Sequence, residues 1–278
     1  MLDRNVQNEI IAKNRNFIKG YQANDPYGED FESDQTLKLP QPPLTKSAMT
    51  SEAPIMLTRD FSDLATKNNL LDLIRDRKSS RVYTQDAMTL QELSFLLWAT
   101  QGVKSLRGKA YATLRTVPSG GARHEFETYL LIRKVDGLQE GAYHYLPMEH
   151  ALEFLHPVEN IDAVISETLS GQSWASKANV VFYWSMVAYR AEWRYGIYAH
   201  RVALIDVGHV GQNLYTACTG LGLGCCAIAA FEHEKCCEVF GLDGEEEFIV
   251  YTTPVGTIRD CDKQAEQAFY KFVEEQGL

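Results

Sequence analysis

Residues 189–221 narrow the fold more than any other part of the chain. They read as one long helical stretch, with Ile197, Arg201, Leu204, Ile205, Val210, Leu214 and Ala217 at mixed helical spacing. Apolar residues fall on more than one side, so such a helix must be enclosed, in a core or against a second copy. Gly208 and Gly211, three apart, each cost about 1 kcal/mol of helix propensity and point to a close crossing by another helix. Residues 127–135 and 142–145 read as strands joined through the turn chemistry of Asp136-Gly137. Residues 179–187, rich in β-branched and aromatic side chains, read as a buried strand, and 225–231 and 248–253 as shorter ones. Helices are expected at 89–101, opened by a Thr89–Glu92 capping box, and at 159–169, 234–240 and 262–275. Residues 102–115 read as a mixed loop. Strands interleaved with helices but joined by a tight hairpin favour an α+β domain over a doubly wound one. The sheet expected is mixed, mainly antiparallel and flanked by helices.

The N-terminal part differs in composition. Residues 4–19 carry Val6, Ile10, Ile11, Phe17 and Ile18 among charges, a short amphipathic helix. Residues 20–54 hold five prolines and an acidic patch at Glu29, Asp30, Glu32 and Asp34. That stretch is expected to be an extended arm, lying on the globular body or wrapping a partner. The division expected is therefore 1–60, helix and arm, and 61–278, one domain. The balance of 37 Asp+Glu against 27 Lys+Arg argues against nucleic acid and against an anionic membrane surface. No apolar run approaches the ~20 residues that span a bilayer, and a cytoplasmic setting is expected. All six cysteines lie in the last quarter, too clustered to staple the fold.

Against this acidity, Arg75-Asp76-Arg77-Lys78-Ser79-Ser80-Arg81 is locally basic. Arg77, Lys78 and Arg81 with two hydroxyls between them suit a phosphate dianion, although a solvated basic helix end has the same composition. Thr116-Val117-Pro118-Ser119-Gly120-Gly121-Ala122 has small side chains that let backbone approach a flat ligand. His124 adjoins it. Arg190, Arg194 and Tyr195 fall at the start of the long helix, where the macrodipole disfavours cations, which suggests an anionic substrate or partner. Gly222-Leu223-Gly224-Cys225-Cys226-Ala227 satisfies a dinucleotide fingerprint literally but follows a helix instead of a strand, and is discounted. Cys225, Cys226, Cys236 and Cys237 with His233 lack zinc-ligand spacing and read as small buried hydrophobes; no metal site is expected. With no triad, P-loop or paired-carboxylate signature, the chemistry is expected to be a cofactor's.

In order along the chain, these pieces resemble the FMN-dependent nitroreductase superfamily, in the branch of SagB-type dehydrogenases. The resemblance covers residues 70–258. It implies a dimer formed through the long helix, with FMN at the interface. Arg77, Lys78, Ser79 and Arg81 would hold the phosphate and ribityl chain, and Pro118, Ser119, Gly120 and Gly121 would form a second flavin loop. Ala229 and Ala230 would meet flavin N5, and Arg259 would add to the phosphate site. His124, Arg194 and Tyr195 would lie at the mouth as catalytic candidates, Arg194-Tyr195 standing where azoline oxidases carry Lys-Tyr. The activity implied is hydride transfer from NAD(P)H through FMN to a small electrophile such as a nitroaromatic or quinone. A tailoring dehydrogenase, a non-catalytic flavin-binding protein and a cysteine-based metal module are the alternatives.

Overall fold

The computed structural model describes residues 3–19, 31–258, 267, 268, 271 and 275. Sixteen helices and strands follow in order: α1 Arg4–Lys19, β1 Ile55–Met56, α2 Leu70–Asp76, α3 Leu90–Gln101, β2 Val103–Arg107, β3 Ala112–Arg115, β4 Phe126–Ile132, β5 Gly141–Leu146, β6 Ala151–His156, α4 Ile161–Thr168, β7 Val180–Val187, α5 Ala188–Tyr195, α6 Ala199–Leu221, β8 Leu223–Cys225, α7 His233–Phe240 and β9 Glu247–Thr257. Seven strands form one sheet in the order β1-β6-β5-β4-β7-β9-β8, and β2 and β3 form a separate hairpin. Every ladder of the large sheet is antiparallel, and the isolated Met88–Val135 bridge is the parallel element among the described residues. The α+β class is therefore as expected.

Alternation along the strands sends side chains to two cores. Leu130, Ile132, Phe182 and Trp184 pack against Leu93, Leu96 and Leu97 of α3 and Val207, Val210 and Leu214 of α6. Tyr129, Leu131, Val181 and Tyr183 face Ile161 and Ile165 of α4 and Cys236 and Phe240 of α7. The predicted capping box is present, with Thr89 accepting from the Glu92 amide and Glu92 from that of Thr89. Five described cysteines are buried and free. Among the described residues, no helix is long and apolar enough to cross a membrane.

Three expectations change. Residues 102–115 contain the β2–β3 hairpin instead of a loop. The stretch 189–221 is two helices, because Gly196 takes φ 46°, ψ −125°, a conformation essentially restricted to glycine, and breaks it. Gly211 receives the ring of Tyr251 from β9 instead of a crossing helix, and Gly208 faces open space in the single chain. The helix expected at 262–275 lies mostly outside the described residues.

From residue 31 the arm lies on its own chain. Gln35 donates to the Trp193 carbonyl at 2.8 Å, Trp193 Nε1 to that of Leu39 at 3.0 Å, and Arg190 Nε to that of Pro43 at 3.0 Å. Beyond Pro43 it crosses a buried charged cluster on the sheet. Glu127 accepts the Lys46 amide at 2.8 Å, pairs with Arg190 at 2.6 Å and accepts from His144 at 3.2 Å; His144 also bonds Glu153 at 3.2 Å, and Glu153 accepts the Thr50 amide. Burial opposes the charge on Glu127, yet Arg190 and His144 hold its carboxyl well below the usual range. The same two glutamates outweigh burial at His144 and raise its pKa.

Glu127→Ala strips the buried Arg190 of its carboxylate and leaves His144 only Glu153, and is expected to cost about 3–5 kcal/mol in urea unfolding. Gly196→Ala, whose Cβ would strike the Phe31 ring, is expected to cost about 1–3 kcal/mol in the same measurement.

Candidate functional site

Helix α2 stops at Arg77, whose amide still reaches the Leu73 carbonyl at 3.1 Å, and the basic segment then runs extended beside β8. Ser80 donates its amide to the Cys225 carbonyl at 2.9 Å. A Cβ on Gly224 would sit 2.7 Å from that of Ser80, so glycine there permits the close approach. Tyr215 of α6 gathers the segment. Its hydroxyl lies 2.9 Å from Ser79 Oγ and accepts the Ala227 amide at 2.9 Å, while the Arg77 guanidinium stands 5.3 Å from its ring centre. Arg81 stands 5.8 Å from the Trp174 ring. Lys78 is exposed beside them, and Ala229 and Ala230 are exposed two and three residues after the Ala227 contact. Arg259 lies outside the described residues.

The second predicted group gathers elsewhere. Residues Gly120–Ala122 form a 3-10 turn with Gly121 at φ 55°, and Ala122 and His124 are also left-handed. Ser119 precedes the turn and Pro118 is exposed. The Gly120 amide donates to Asp206 Oδ2 at 2.7 Å. Gly120 and Gly121 pack against the Tyr195 hydroxyl, and a Cβ on Gly121 would strike the Arg194 side chain. Arg194 stands 5.6 Å from the Tyr195 ring and donates to Tyr111 Oη at 3.1 Å and Gln35 Oε1 at 3.2 Å. The Gln35 amide donates to the same phenol at 2.9 Å. These contacts, Gln35 first and then Arg194, lower the Tyr111 pKa.

Three placements differ from those expected. His124 is buried, and burial together with nearby Arg115 pulls its pKa to about 3, so it is neutral and shielded from solvent. Arg190 is the partner of Glu127. The break at Gly196 puts Arg194 in the last turn of α5, where the macrodipole favours a cation, so its position alone does not call for an anion. Tyr111, Trp174 and Tyr215 were not singled out from sequence. Only Tyr215 carries a local signal, lying four residues after Gly211 and so on the same helix face.

The two groups hold different parts of α6. From Asp206 to Tyr215 the axial rise is about 14 Å, and from Val202, which bounds Gly120, about 20 Å.

The Nitroreductase family profile matches residues 74–257, the span that holds both groups. The chain belongs to the nitroreductase family. Members are oxidoreductases in general. A relative named as a nitroreductase, MJ1384 of Methanocaldococcus jannaschii, is 33% identical over 191 residues, 67% of this chain and 90% of that one. The microcin B17-processing protein McbC of Escherichia coli is 28% identical over 136 residues, 46% of this chain and 49% of its own length. The trifolitoxin-processing protein TfxB of Rhizobium leguminosarum is 26% identical over 163 residues, 57% of this chain and 39% of its own. Two solved structures share the fold. A nitroreductase-family crystal structure from Ralstonia eutropha superposes with TM-score 0.61 at 23% identity, covering 79% of this chain and 98% of that one. A chain of the E. coli microcin synthetase McbBCD complex superposes with TM-score 0.56 at 18% identity, covering 89% and 91%.

Tyr215→Phe removes the acceptor of the Ala227 amide and the partner of Ser79. Hydrogen exchange at Ala227 is expected to accelerate by about 10- to 100-fold, the equivalent of about 1–3 kcal/mol, while amides of β7 keep their wild-type rates.

Proposed function

We propose that this chain is an FMN-dependent oxidoreductase that transfers hydride from NAD(P)H to a small electrophile such as a nitroaromatic or a quinone. The observation that carries the reading is the convergence of Arg77, Ser79 and the Ala227 loop on Tyr215, with Arg81 and Lys78 alongside. Guanidinium forks, an ammonium and a hydroxyl are the donor set of a phosphate monoester, and the small side chains of Ala227, Ala229 and Ala230 leave backbone room for a flat ring. FMN, when bound, supplies the two-electron carrier. Arg77, Lys78, Ser79 and Arg81 would hold its phosphate and ribityl chain, with Arg259 a further candidate, and Ala229 and Ala230 would face the ring.

Pro118, Ser119, Gly120 and Gly121 are proposed to close the other side of the ring from a second copy. Support comes from the length of α6 between the two groups, and from the exposed Ile197, Leu204 and Ile205 beside Gly208. Residues 1–60 are proposed as an accessory helix and arm on a catalytic domain of 61–278. The proposed setting is the cytoplasm, which keeps buried cysteines such as these reduced.

Arg194 is proposed to steady negative charge growing on a nitro or quinone oxygen. Its place on the Tyr195 ring beside the Gly121 turn supports that role. His124, buried and neutral, is assigned to supporting the turn.

A second reading, a SagB-like tailoring dehydrogenase oxidising a specific substrate, is supported by the likeness to the processing proteins TfxB and McbC and needs a base. A guanidinium does not serve as a general base, but the Tyr111 phenol, made more acidic by Gln35 and Arg194, offers one. Arg81→Ala is expected to weaken FMN binding about 10- to 100-fold by fluorescence titration, the loss of one charge-assisted contact. Arg194→Ala is expected to slow quinone reduction by about 10²-fold with FMN retained, and Tyr111→Phe to leave it near wild type. Loss of activity on a heterocyclic peptide in Tyr111→Phe, with quinone reduction intact in Arg194→Ala, would favour the second reading.

A further inference from the structure

Two carboxyl groups that the proposed chemistry does not use lie together beneath the Ser119–Gly121 turn. Glu125 lies just before β4 and Asp206 projects from α6, at 1% and 4% exposure. Asp206 Oδ2 accepts the Gly120 amide at 2.7 Å, and Ser119 Oγ donates to Glu125 Oε2 at 3.4 Å while accepting the His124 amide at 3.0 Å. The two carboxyls thus hold adjacent residues of one turn, close enough for the charge of Asp206 to act on Glu125. Glu125 Oε1 is buried without a hydrogen-bond partner. Among the described residues neither carboxyl has a lysine or arginine within ion-pair range, and the one imidazole there is that of His209, exposed on α6, whose Nδ1 is 3.8 Å from Asp206 Oδ1. Arg115 of β3 and Arg123 face Glu125 from farther off. Neutral His124 adds no charge.

Two carboxylates buried side by side repel, by about 4 kcal/mol for a separation of about 4 Å near a protein surface. A buried carboxyl with one oxygen lacking any donor is also held more readily in its protonated form than as an anion. We propose that Glu125 and Asp206 share one proton and act as a positioning pair, holding the Ser119–Gly121 turn in the shape that meets the cofactor. Asp206 fixes the Gly120 amide, Glu125 fixes the Ser119 hydroxyl, and the shared proton lets both contacts exist at once. Burial and then the Asp206 charge push Glu125 up to about 7, and burial raises Asp206 as well. The hold is therefore present below neutrality. As pH rises through the Glu125 pKa the proton leaves, the carboxylates repel, and the turn loosens.

The link to the cofactor rests on the FMN reading, so the test has one arm without it. Isotope-edited infrared spectroscopy of the full chain with no added FMN should show one buried protonated carboxyl at about pH 6. That band should fade towards about pH 9 and be missing from Glu125→Gln. In the second arm, the FMN dissociation constant of the wild type should rise about tenfold over the same range, the equivalent of one pKa unit, and stay flat in Glu125→Gln. Asp206→Asn should be equally flat. A wild type with no protonated carboxyl at about pH 6, or a Glu125→Gln variant with the wild-type pH dependence, would overturn the pair. The expected band without FMN binding at any pH would support the pair and refute the cofactor reading.

Discussion

Helix α6 sets the distance on which the rest of the site depends. Its 23 residues rise about 1.5 Å each, and a continuous hydrogen-bond ladder lets neither end move towards the other. The basic segment and the Ala227 loop are tied to Tyr215, in its C-terminal half. The Gly120–Gly121 turn is tied to Asp206 and bounded by Val202, in its N-terminal half. A cofactor that uses both groups is therefore proposed to draw them from two copies. The face that would meet the partner lies along the same helix, where Leu204, Ile205 and Gly208 are uncovered in the single chain.

The sheet supports this arrangement electrostatically. The cluster of Arg190, Glu127, His144 and Glu153 is buried at a cost that only mutual pairing offsets, and its carboxylates take up backbone amides of the arm. An irregular, proline-rich segment thereby acquires a fixed course. That course brings Gln35 to Tyr111 and Arg194, so the arm reaches the candidate substrate side of the chain.

How much could be read from the sequence follows the range of the interactions involved. The Thr89–Glu92 capping box and the Asp136-Gly137 turn are local, and both were legible. The β2–β3 hairpin was not, because β2 is almost wholly exposed and Val103-Lys104-Ser105-Leu106-Arg107 shows no clear apolar alternation. The break at Gly196 was hidden for another reason: the residues on both sides keep helical patterning, and only the backbone angle and the Phe31 contact give it away. The two groups of cofactor candidates were legible as composition, but their separation along α6 is a tertiary fact. Tyr215 and Tyr111 matter through partners 136 and 83 residues away, Ser79 and Arg194, which no local pattern encodes.

The central claim, a cofactor site shared by two copies, is tested most directly by subunit complementation. Two differently tagged chains, one Arg77→Ala/Arg81→Ala and one Gly121→Glu, would be co-expressed, the mixed species isolated through both tags, and its bound FMN quantified by absorbance. Each variant alone should retain little flavin. The mixed dimer should recover about one FMN for two chains, because one of its two sites would then be built wholly from wild-type halves. A mixed dimer as empty as its parents, or a flavin-loaded wild type that is monomeric, would contradict the account.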